Sequence, residues 1–179
     1  MGKIVLCLEL DAVDLQGFAA LREGLAHRGI RFRSLEEERA RHPEIWLARF
    51  AQMDNATRTS DRFAPRTPEE IGLRVADFGP EPVGCIVADD GGRLIGYTYF
   101  HKASGEDPYR ARQGWTGVVP EYRRQGVATV LKLEGILLAR QLGFHRMVTD
   151  PNEDNAASVR MSKRVGFIAC DSDAGVLPI

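Results

Sequence analysis

The order of the predicted elements from residue 83 onward constrains the fold more than any other feature of this sequence. Residues 83–88 form an apolar run, Asp89-Asp90-Gly91-Gly92 has the chemistry of a tight turn, and residues 93–101 are rich in β-forming side chains. This pattern predicts a β-hairpin. The elements predicted after the hairpin are a strand at 113–119, a helix at about 126–142, a strand at 145–149, a helix at about 155–165 and a short strand from Phe167. The order β-β-β-α-β-α-β predicts a mixed α/β sheet covered by helices.

The residues before this region are dominated by helical periods. The predicted elements are helices over 14–28 and about 43–53, a short strand at 30–33, an exposed loop at 54–67 and a helix that ends near Phe78. Thr67-Pro68-Glu69-Glu70 is typical of a helix start, because threonine caps the helix, proline suits its first turn and a glutamate can reach back to the cap. We interpret the acidic run at 36–38 as a solvated helix face.

Charge and hydropathy exclude two classes of partner. Lysine and arginine (24) nearly balance aspartate and glutamate (25), so the chain lacks the basic surface that general nucleic-acid binding requires. No apolar run approaches the roughly 20 residues that span a bilayer, and the opening segment is not a secretory signal. We therefore expect no nucleic-acid partner, no membrane association and a cytoplasmic location.

The cysteines and histidines indicate neither a disulfide framework nor a metal site. Cys7, Cys85 and Cys170 are odd in number and widely spaced, so we interpret them as reduced cysteines of an intracellular protein. The four histidines have no metal-ligand spacing with one another or with the cysteines. We expect no bound metal.

The segment from Trp115 to Ala128 carries the clearest functional signal. A strand stops there, a short turn follows, and a long helix begins at Gly126, after the basic pair Arg123-Arg124. The first amides of a helix lack internal acceptors, and the helix dipole favours an anion at that end. Glycine allows close approach to the backbone, and arginines add charge-assisted contacts to phosphates. The segment therefore predicts a diphosphate seat, but it is neither a P-loop nor a dinucleotide fingerprint.

The pattern Arg123-x-x-Gly126-x-Ala128 after a strand resembles the acyl-CoA signature of the GNAT N-acetyltransferases. The resemblance extends through Asn155 to the segment 161–167, which matches the closing helix and Gly-Phe strand entry of that family. It covers residues 83–168 well and 14–82 only loosely. It implies an α/β (α+β) fold with a mixed, mostly antiparallel sheet that splays around the acyl-CoA strand, with helices on both faces.

The resemblance also implies where the co-substrate, acetyl-CoA or another acyl-CoA, would bind. The pantetheine arm would pair with the strand at 115–119 as an added strand, the amides of about 124–129 would hold the diphosphate, and Asn155 would bind from the neighbouring helix. The implied cofactor-binding residues are Gly117, Val118, Val119, Arg123, Arg124, Gln125, Gly126, Val127, Ala128, Thr129, Asn155 and Ser158. A backbone amide near Val118 or Val119 would stabilise the oxyanion, and we assign this role to Val119.

Two features depart from the family pattern. In many members a tyrosine five residues before the Gly-Phe phenylalanine protonates the departing thiolate, and here that position holds Ser162, which could hydrogen-bond the sulfur. The family often has an acid on the central strand, and here the nearest candidates for a base are His101, Glu106 and Asp107.

The sequence therefore predicts an enzyme, an acetyl-CoA-dependent N-acetyltransferase that acts on a small-molecule amine or an amino terminus. The alternatives are a GNAT-like module that binds CoA without catalysis, and a scaffold that binds none. We expect one compact domain, with residues 1–80 on the acceptor side and 81–179 as the acyl-CoA-binding core. Only twelve residues follow Phe167, so we expect either a short sheet edge or an edge completed by the N-terminal strand or by a second subunit in a homodimer.

Overall fold

A computed structural model describes residues 4–58, 64–76, 84–103, 105, 107–151 and 155–170 of the chain. The strands are β1 (Leu6–Glu9), β2 (Ile30–Ser34), β3 (Gly84–Asp90), β4 (Arg93–Lys102), β5 (Arg110–Val118), β6 (Arg146–Thr149) and β7 (Ile168–Ala169). The helices are α1 (Ala19–His27), α2 (Leu35–Arg41), α3 (Trp46–Thr57), α4 (Pro68–Ala76), α5 (Val127–Gln141) and α6 (Ala156–Val165). Short 3-10 turns occupy Leu10–Ala12, Gln16–Phe18 and Pro120–Tyr122.

The seven strands form one sheet in the order β2-β3-β4-β5-β6-β1-β7. Every neighbouring pair is antiparallel except β5 and β6, which run parallel. The N-terminal strand β1 lies between β6 and β7, so the chain completes the sheet with its own first residues. Strands from both predicted segments, 1–80 and 81–179, therefore share one sheet.

The sheet opens between its two parallel strands. β5 pairs with β6 only over Arg110 to Arg112. From there to Val118 it pairs with β4 on one side and leaves its other edge without a strand partner among the described residues. Side chains alternate across a strand, and on β4 this alternation separates two helical layers. Tyr97 packs on Phe50 of α3, whereas Thr98 lies next to Gly135 of α5. The predicted fold class, a mixed and mostly antiparallel splayed sheet with helices on both faces, is confirmed.

Several predicted boundaries in the N-terminal part were wrong. Helix α1 starts at Ala19, because the Asp14 side chain accepts from the amides of Gln16 and Gly17 and holds a turn before it. Helix α3 continues to Thr57, four residues into the predicted loop. The reason is Asp54, which is buried and accepts from Arg58 one helical turn away. The predicted end of α4 lies outside the described residues.

The cap predictions are confirmed for two helices. In α4 the amide of Glu70 donates to the Thr67 hydroxyl at 3.2 Å, and the Glu70 carboxylate accepts from the Thr67 amide at 2.8 Å. In α6 the Asn155 side chain accepts from the amide of Ser158 at 3.1 Å. Each bond pairs a helix-terminal amide that has no partner within the helix.

The acidic run at 36–38 is not a fully solvated face. Glu38 is 0% exposed and binds Arg33 at 2.6 Å and Arg49 at 3.1 Å. Both arginines also bind Asp89 of β3, at 3.2 and 2.9 Å. These four side chains form a charge cluster that joins β2, α2, α3 and β3, and a buried carboxylate needs such partners.

The prediction of three reduced cysteines was also wrong. Cys7 and Cys170 form a disulfide, with Cα atoms 5.9 Å apart, and Cys85 is free and buried. Cys7 lies on β1 and Cys170 follows β7, where its amide donates to the carbonyl of Val5. The bridge spans 163 positions of sequence, and the pairing of these strands brings its ends together.

Candidate functional site

A cavity of about 760 Å³ opens where β5 leaves β6. Its walls come from the end of α3, from β4 and β5, from the turn and first helical residues of α5, and from the segment that leads from β6 into α6. Of the twelve predicted cofactor-binding residues, those that line it are Gly117, Val118, Arg123, Arg124, Ala128, Asn155 and Ser158. The cavity therefore joins the predicted strand, turn and helix in one space.

The other predicted binding residues lie behind this wall. They are Val119, Gln125, Gly126, Val127 and Thr129, and none of them lines the cavity. Thr129 and Val127 are buried in the helix packing. The Gln125 side chain donates to the carbonyl of Glu121 at 2.7 Å and accepts from Arg28. The Gln125 side chain therefore ties the turn to itself and to Arg28.

The backbone of β5 presents hydrogen-bonding groups to the cavity in alternation. The Val119 amide donates to the carbonyl of Ile95 at 2.9 Å, inside the pairing with β4. In an antiparallel pair, amides alternate between the two sides of a strand. The amides of Thr116 and Val118 therefore point away from β4, toward the gap that β6 does not fill.

The assignment of the oxyanion donor to Val119 was consequently wrong. Its amide is already bonded and the residue is 0% exposed, so it cannot reach a ligand. Val118 lines the cavity, and its carbonyl accepts from the Arg123 Nε at 3.0 Å, outside the sheet, as the alternation requires. Val118 is the residue whose amide faces the site.

The N-terminus of α5 supplies the second group of amides. Gly126 precedes the helix with φ +89°, and no side-chain cap occupies this end among the described residues. The first helical bond runs from the Val130 amide to the Gly126 carbonyl. The amides of residues 127–129 therefore come before the helical ladder begins, in the place where an anion binds to a helix.

Gly126 is required here for a different reason than the one expected. A Cβ at this position would lie 2.5 Å from Leu21 Cδ1, so the glycine allows α1 to pack closely against the turn. Its φ also lies in the region that L side chains rarely adopt. Arg124 beside it has φ 59°, which turns the chain sharply into the helix.

The two arginines of the turn differ in role. The Arg123 guanidinium donates to the carbonyl of Val118 at 3.0 Å and to that of Thr57 at 3.2 Å, and so ties β5 to the end of α3. It also lines the cavity, as do Arg124 and Arg112. Arg112 binds Asp150 at 2.9 Å. The charged residues of the cavity wall are therefore mostly basic, which suits a polyanionic ligand.

One part of the cavity wall is aromatic. Thr57, Tyr99 and Trp115 line it, and the Arg58 guanidinium lies 4.9 Å from the Trp115 ring centroid. Arg58 is held by Asp54 through bonds of 3.0 and 3.2 Å. This stack gives the Trp115 ring a fixed orientation beside the strand edge.

Asp54 also anchors the core behind this wall. It accepts a hydrogen bond from the Tyr97 hydroxyl, which lies in the layer between α3 and β4. Burial, followed by the charge of Asp54, raises the pKa of Tyr97 well above its usual range. Tyr97 is therefore a neutral hydrogen-bond donor and not a titrating group at the site.

Ser162, the residue at the usual tyrosine position, is buried and contacts a lysine. Lys132 Nζ donates to the Ser162 Oγ at 3.3 Å and to the Gln113 Oε1 at 3.1 Å. Lys132 is 3% exposed, yet it lines the cavity, whereas Ser162 does not. Burial lowers the pKa of Lys132 to about 7.

Sequence reasoning missed this lysine. Lys132 belongs to the narrow polar stripe of α5, which is the usual solvent-facing pattern of an amphipathic helix. In the structure Lys132 faces a polar side chain of the sheet, Gln113. The Gln113 Nε2 donates to Thr98 and Thr116 hydroxyls at 2.7 and 3.3 Å. The one available signal was a lysine in a helix with few other polar residues.

Two of the three candidate bases, His101 and Asp107, do not lie on the cavity wall. His101 Nδ1 is 2.8 Å from the Lys102 carbonyl oxygen, and Asp107 accepts from the amide of Tyr109. Glu106 lies outside the described residues. Asp150 is the only carboxylate on the wall within the described segments, and it is paired with Arg112.

The described residues contain no group of three or more histidine, cysteine, aspartate or glutamate side chains that could hold a metal ion. Among the helices of those same residues, none combines the length and the apolar character needed to traverse a bilayer.

The chain resembles curated proteins over parts of their length. It is 31% identical over 162 residues to the mycothiol acetyltransferase of Geodermatophilus obscurus, across 89% of this chain and 49% of that protein. It is 32% identical over 91 residues to the mycothiol acetyltransferase of Pseudarthrobacter chlorophenolicus, across 50% of this chain and 28% of that protein. The chain thus spans about half, or less, of the length of these relatives.

Solved structures share the fold at low sequence identity. A GCN5-related N-acetyltransferase from Sphaerobacter thermophilus superposes with a TM-score of 0.64 at 17% identity, over 94% of this chain and 48% of that one. The Salmonella typhimurium protein yncA, solved with its cofactor acetyl-CoA, gives a TM-score of 0.56 at 21% identity, over 78% and 80% of the two chains. The model of the acetyltransferase (GNAT) family matches residues 35–167. This chain belongs to the GNAT family of acetyltransferases.

Proposed function

We propose that this chain is an N-acyltransferase that moves an acetyl group from acetyl-CoA to the amine of a small molecule or an amino terminus. The observation that carries the proposal is the shared cavity, in which the unpaired edge of β5 and the uncapped start of α5 meet. An extended amide-bearing arm pairs with a strand edge, and a diphosphate binds helix-terminal amides. CoA joins these two groups in one molecule.

The residues present fit such a co-substrate. The Val118 amide would pair with the pantetheine arm, and the first amides of α5 would bind the diphosphate beside Arg124. Asn155, which already caps α6, also lines the cavity near this end. The cavity of about 760 Å³ falls within the range of sites that bury most of a ligand.

The reaction would proceed by direct attack in a ternary complex. The acceptor amine would enter along the aromatic part of the cavity wall, beside Tyr99 and Trp115. Its neutral nitrogen attacks the thioester carbonyl carbon, and the Thr116 amide, which is farther than Val118 from the diphosphate seat, would donate to the oxygen that becomes negative. Collapse of this intermediate breaks the carbon–sulfur bond and leaves an amide and the CoA thiolate.

Binding of CoA is the first test, and Ala128 is the position to change. Ala128 lines the cavity at the start of α5, whereas a side chain at Gly126 would instead strike Leu21 and disturb the fold. We expect Ala128→Asp to weaken CoA binding by more than about 100-fold, because a carboxylate there faces the phosphates. Calorimetric titration with CoA measures this effect.

Ala20→Asp is the matched control. Ala20 is exposed in the first turn of α1 and does not line the cavity, so it places the same carboxylate at another helix start. We expect it to bind CoA as the wild type does. Equal CoA binding by the wild type and Ala128→Asp, or no binding by the wild type, would contradict the proposal.

A CoA-binding module without catalysis is the second candidate, favoured by Ser162 at the usual tyrosine position. Thiol release from acetyl-CoA, measured with a panel of amines, separates the two candidates. The panel should include acceptors related to mycothiol, the compound in the names of the curated relatives. Tight CoA binding with no turnover on any amine would favour the module.

A further inference from the structure

Lys132 is a buried cation in the wall of the cavity, and it has no anionic partner among the described residues. Its Nζ donates to two neutral oxygens, the Gln113 Oε1 and the Ser162 Oγ. The ring of Phe167 lies 5.3 Å from the same nitrogen. No oxygen of the described residues accepts a third bond from Nζ, and Lys132 lines the cavity. A buried charge without a counter-ion lowers stability and is retained for a function more often than for packing.

The surroundings of Lys132 explain why its pKa is lowered. Among the described residues, the charged groups that share the cavity wall with Lys132 are Arg112, Asp150, Arg123 and Arg124, and Asp150 is paired with Arg112. The groups that face Lys132 from β5 and α6 are Gln113 and Ser162, and Thr98 and Thr116 lie behind Gln113. None of these four groups titrates near neutrality. Burial is the cause that sets the pKa of Lys132.

The position of the lysine relative to the sheet separates two roles, acid and base. The aromatic part of the wall, where the acceptor is proposed to enter, lies on the α3 side of the sheet with Thr57 and Trp115, next to Arg58. Lys132 belongs to α5, on the other side, where its partner Ser162 holds the place of the family's proton donor. A base must reach the amine, whereas an acid must reach the leaving sulfur. The lysine lies on the side of the sheet away from the proposed acceptor entrance, which suits an acid.

We propose that Lys132 is the general acid of acetyl transfer, donating its Nζ proton to the departing CoA thiolate in place of the tyrosine that Ser162 replaces. This inference rests on the proposed acetyltransferase function. As the carbon–sulfur bond breaks, its electron pair stays on sulfur and takes the proton from Lys132, which leaves a neutral lysine and the CoA thiol. The neutral lysine then regains a proton from solvent, and the proton lost by the amine passes to solvent. Gln113 and Ser162 hold the nitrogen in place through both states, because neutral and charged lysine can both donate.

The kinetic test compares the wild type with Lys132→Met across pH. We expect the kcat of the wild type to fall as pH rises above about 7, since the acid must be protonated. Lys132→Met should lose this falling limb and about 10²–10⁴-fold in kcat, with the KM for acetyl-CoA changed only a few-fold. Lys132→Arg should not restore activity, because a guanidinium keeps the charge but does not release its proton. Lys163→Met, at an exposed lysine beside Ser162, is the matched control.

A spectroscopic titration gives a readout that does not depend on turnover. The chain has four lysines, Lys3, Lys102, Lys132 and Lys163, so spectra of protein labelled with ¹³C-lysine are simple to assign. We expect one side chain to titrate near pH 7 in the wild type and to be absent from Lys132→Met. A Lys132 resonance that titrates near the ordinary lysine value of 10.5 would overturn the inference.

The kinetic outcomes separate this inference from the proposed function. Turnover by the wild type with an equal kcat and an unchanged falling limb in Lys132→Met would overturn the acid role alone. A limb that rises with pH and depends on Lys132 would make the lysine a base. Ser162→Ala could instead lose as much kcat as Lys132→Met, while Lys132→Met keeps the fall of kcat at high pH. That result would make Ser162, and not Lys132, the proton donor. Failure of the wild type to acetylate any amine would overturn both proposals.

Discussion

Replacing Lys132 by methionine should change how the stability of the fold depends on pH. Methionine has a similar length and no charge, so it removes the cost of holding an ammonium group in the interior. It also leaves the Gln113 and Ser162 oxygens without their donor, which costs about 1–3 kcal/mol at every pH. The absolute change in stability therefore mixes two effects. The pH dependence of this change in stability isolates the contribution of the lysine charge.

The magnitude follows from the pKa of Lys132. Burial lowers it from 10.5 to about 7 in the folded chain. At about 1.4 kcal/mol per pH unit, this difference corresponds to roughly 5 kcal/mol of lost stability at low pH. Between the two pKa values the unfolded chain binds a proton that the folded chain does not, so the stability of the wild type rises with pH. The contribution from Lys132 should be about 2 kcal/mol between pH 7 and pH 9.

Urea unfolding followed by tryptophan fluorescence measures this effect, since Trp46 and Trp115 both lie in folded elements. The difference in unfolding free energy between Lys132→Met and the wild type should be constant below pH 7 and change by about 2 kcal/mol in favour of the wild type by pH 9. Lys163→Met should follow the wild type, because Lys163 is exposed. Parallel stability curves for the wild type and Lys132→Met would show that the lysine keeps its ordinary pKa, and the reasoning would then fail.

Three further changes test the structure elsewhere. Glu38→Gln should destabilise the fold by about 3 kcal/mol in urea unfolding, because it leaves two partly buried arginines to share the single carboxylate of Asp89. Glu36→Gln, at an exposed position, should change it little, and equal effects would refute the charge cluster. Cys170→Ser, or reduction of the wild type, should lower the free energy of unfolding by up to about 5 kcal/mol, because the unfolded chain loses a loop constraint. Without reductant, the denatured wild type should expose only the Cys85 thiol to alkylation, and three reactive thiols would contradict the disulfide. Asn155→Ala should cost about 1 kcal/mol as a lost cap; an additional loss of CoA affinity in calorimetry would support its place in the site, and unchanged affinity would remove it.

The sequence was sufficient for those features that depend on neighbouring residues. The hairpin at Asp89-Asp90-Gly91-Gly92, the strand before Pro120, helix α5 after Gly126 and the cap at Asn155 all appear where local turn, cap and periodicity rules place them. The family signature lies within one such local unit, in which a strand, a turn and a helix follow one another along the chain. Its geometry therefore follows from short-range chemistry.

The ligand-facing amides of β5 needed one more level of information. Whether the Val118 or the Val119 amide faces the ligand depends on which of them bonds to β4, and the neighbouring strand sets that parity. A one-residue change of register would exchange them.

Tertiary structure alone decided the features made by residues distant in sequence. Strand β1 enters the sheet beside β6, and the disulfide joins Cys7 to Cys170 across 163 positions. The sequence alone predicts Lys132 to be a solvent-facing residue of a helix. The structure buries it against Gln113 of β5 and Ser162 of α6. Local patterns determine which segment becomes a helix or a strand, but the environment of a side chain, and with it its charge, is set by the segments that pack around it.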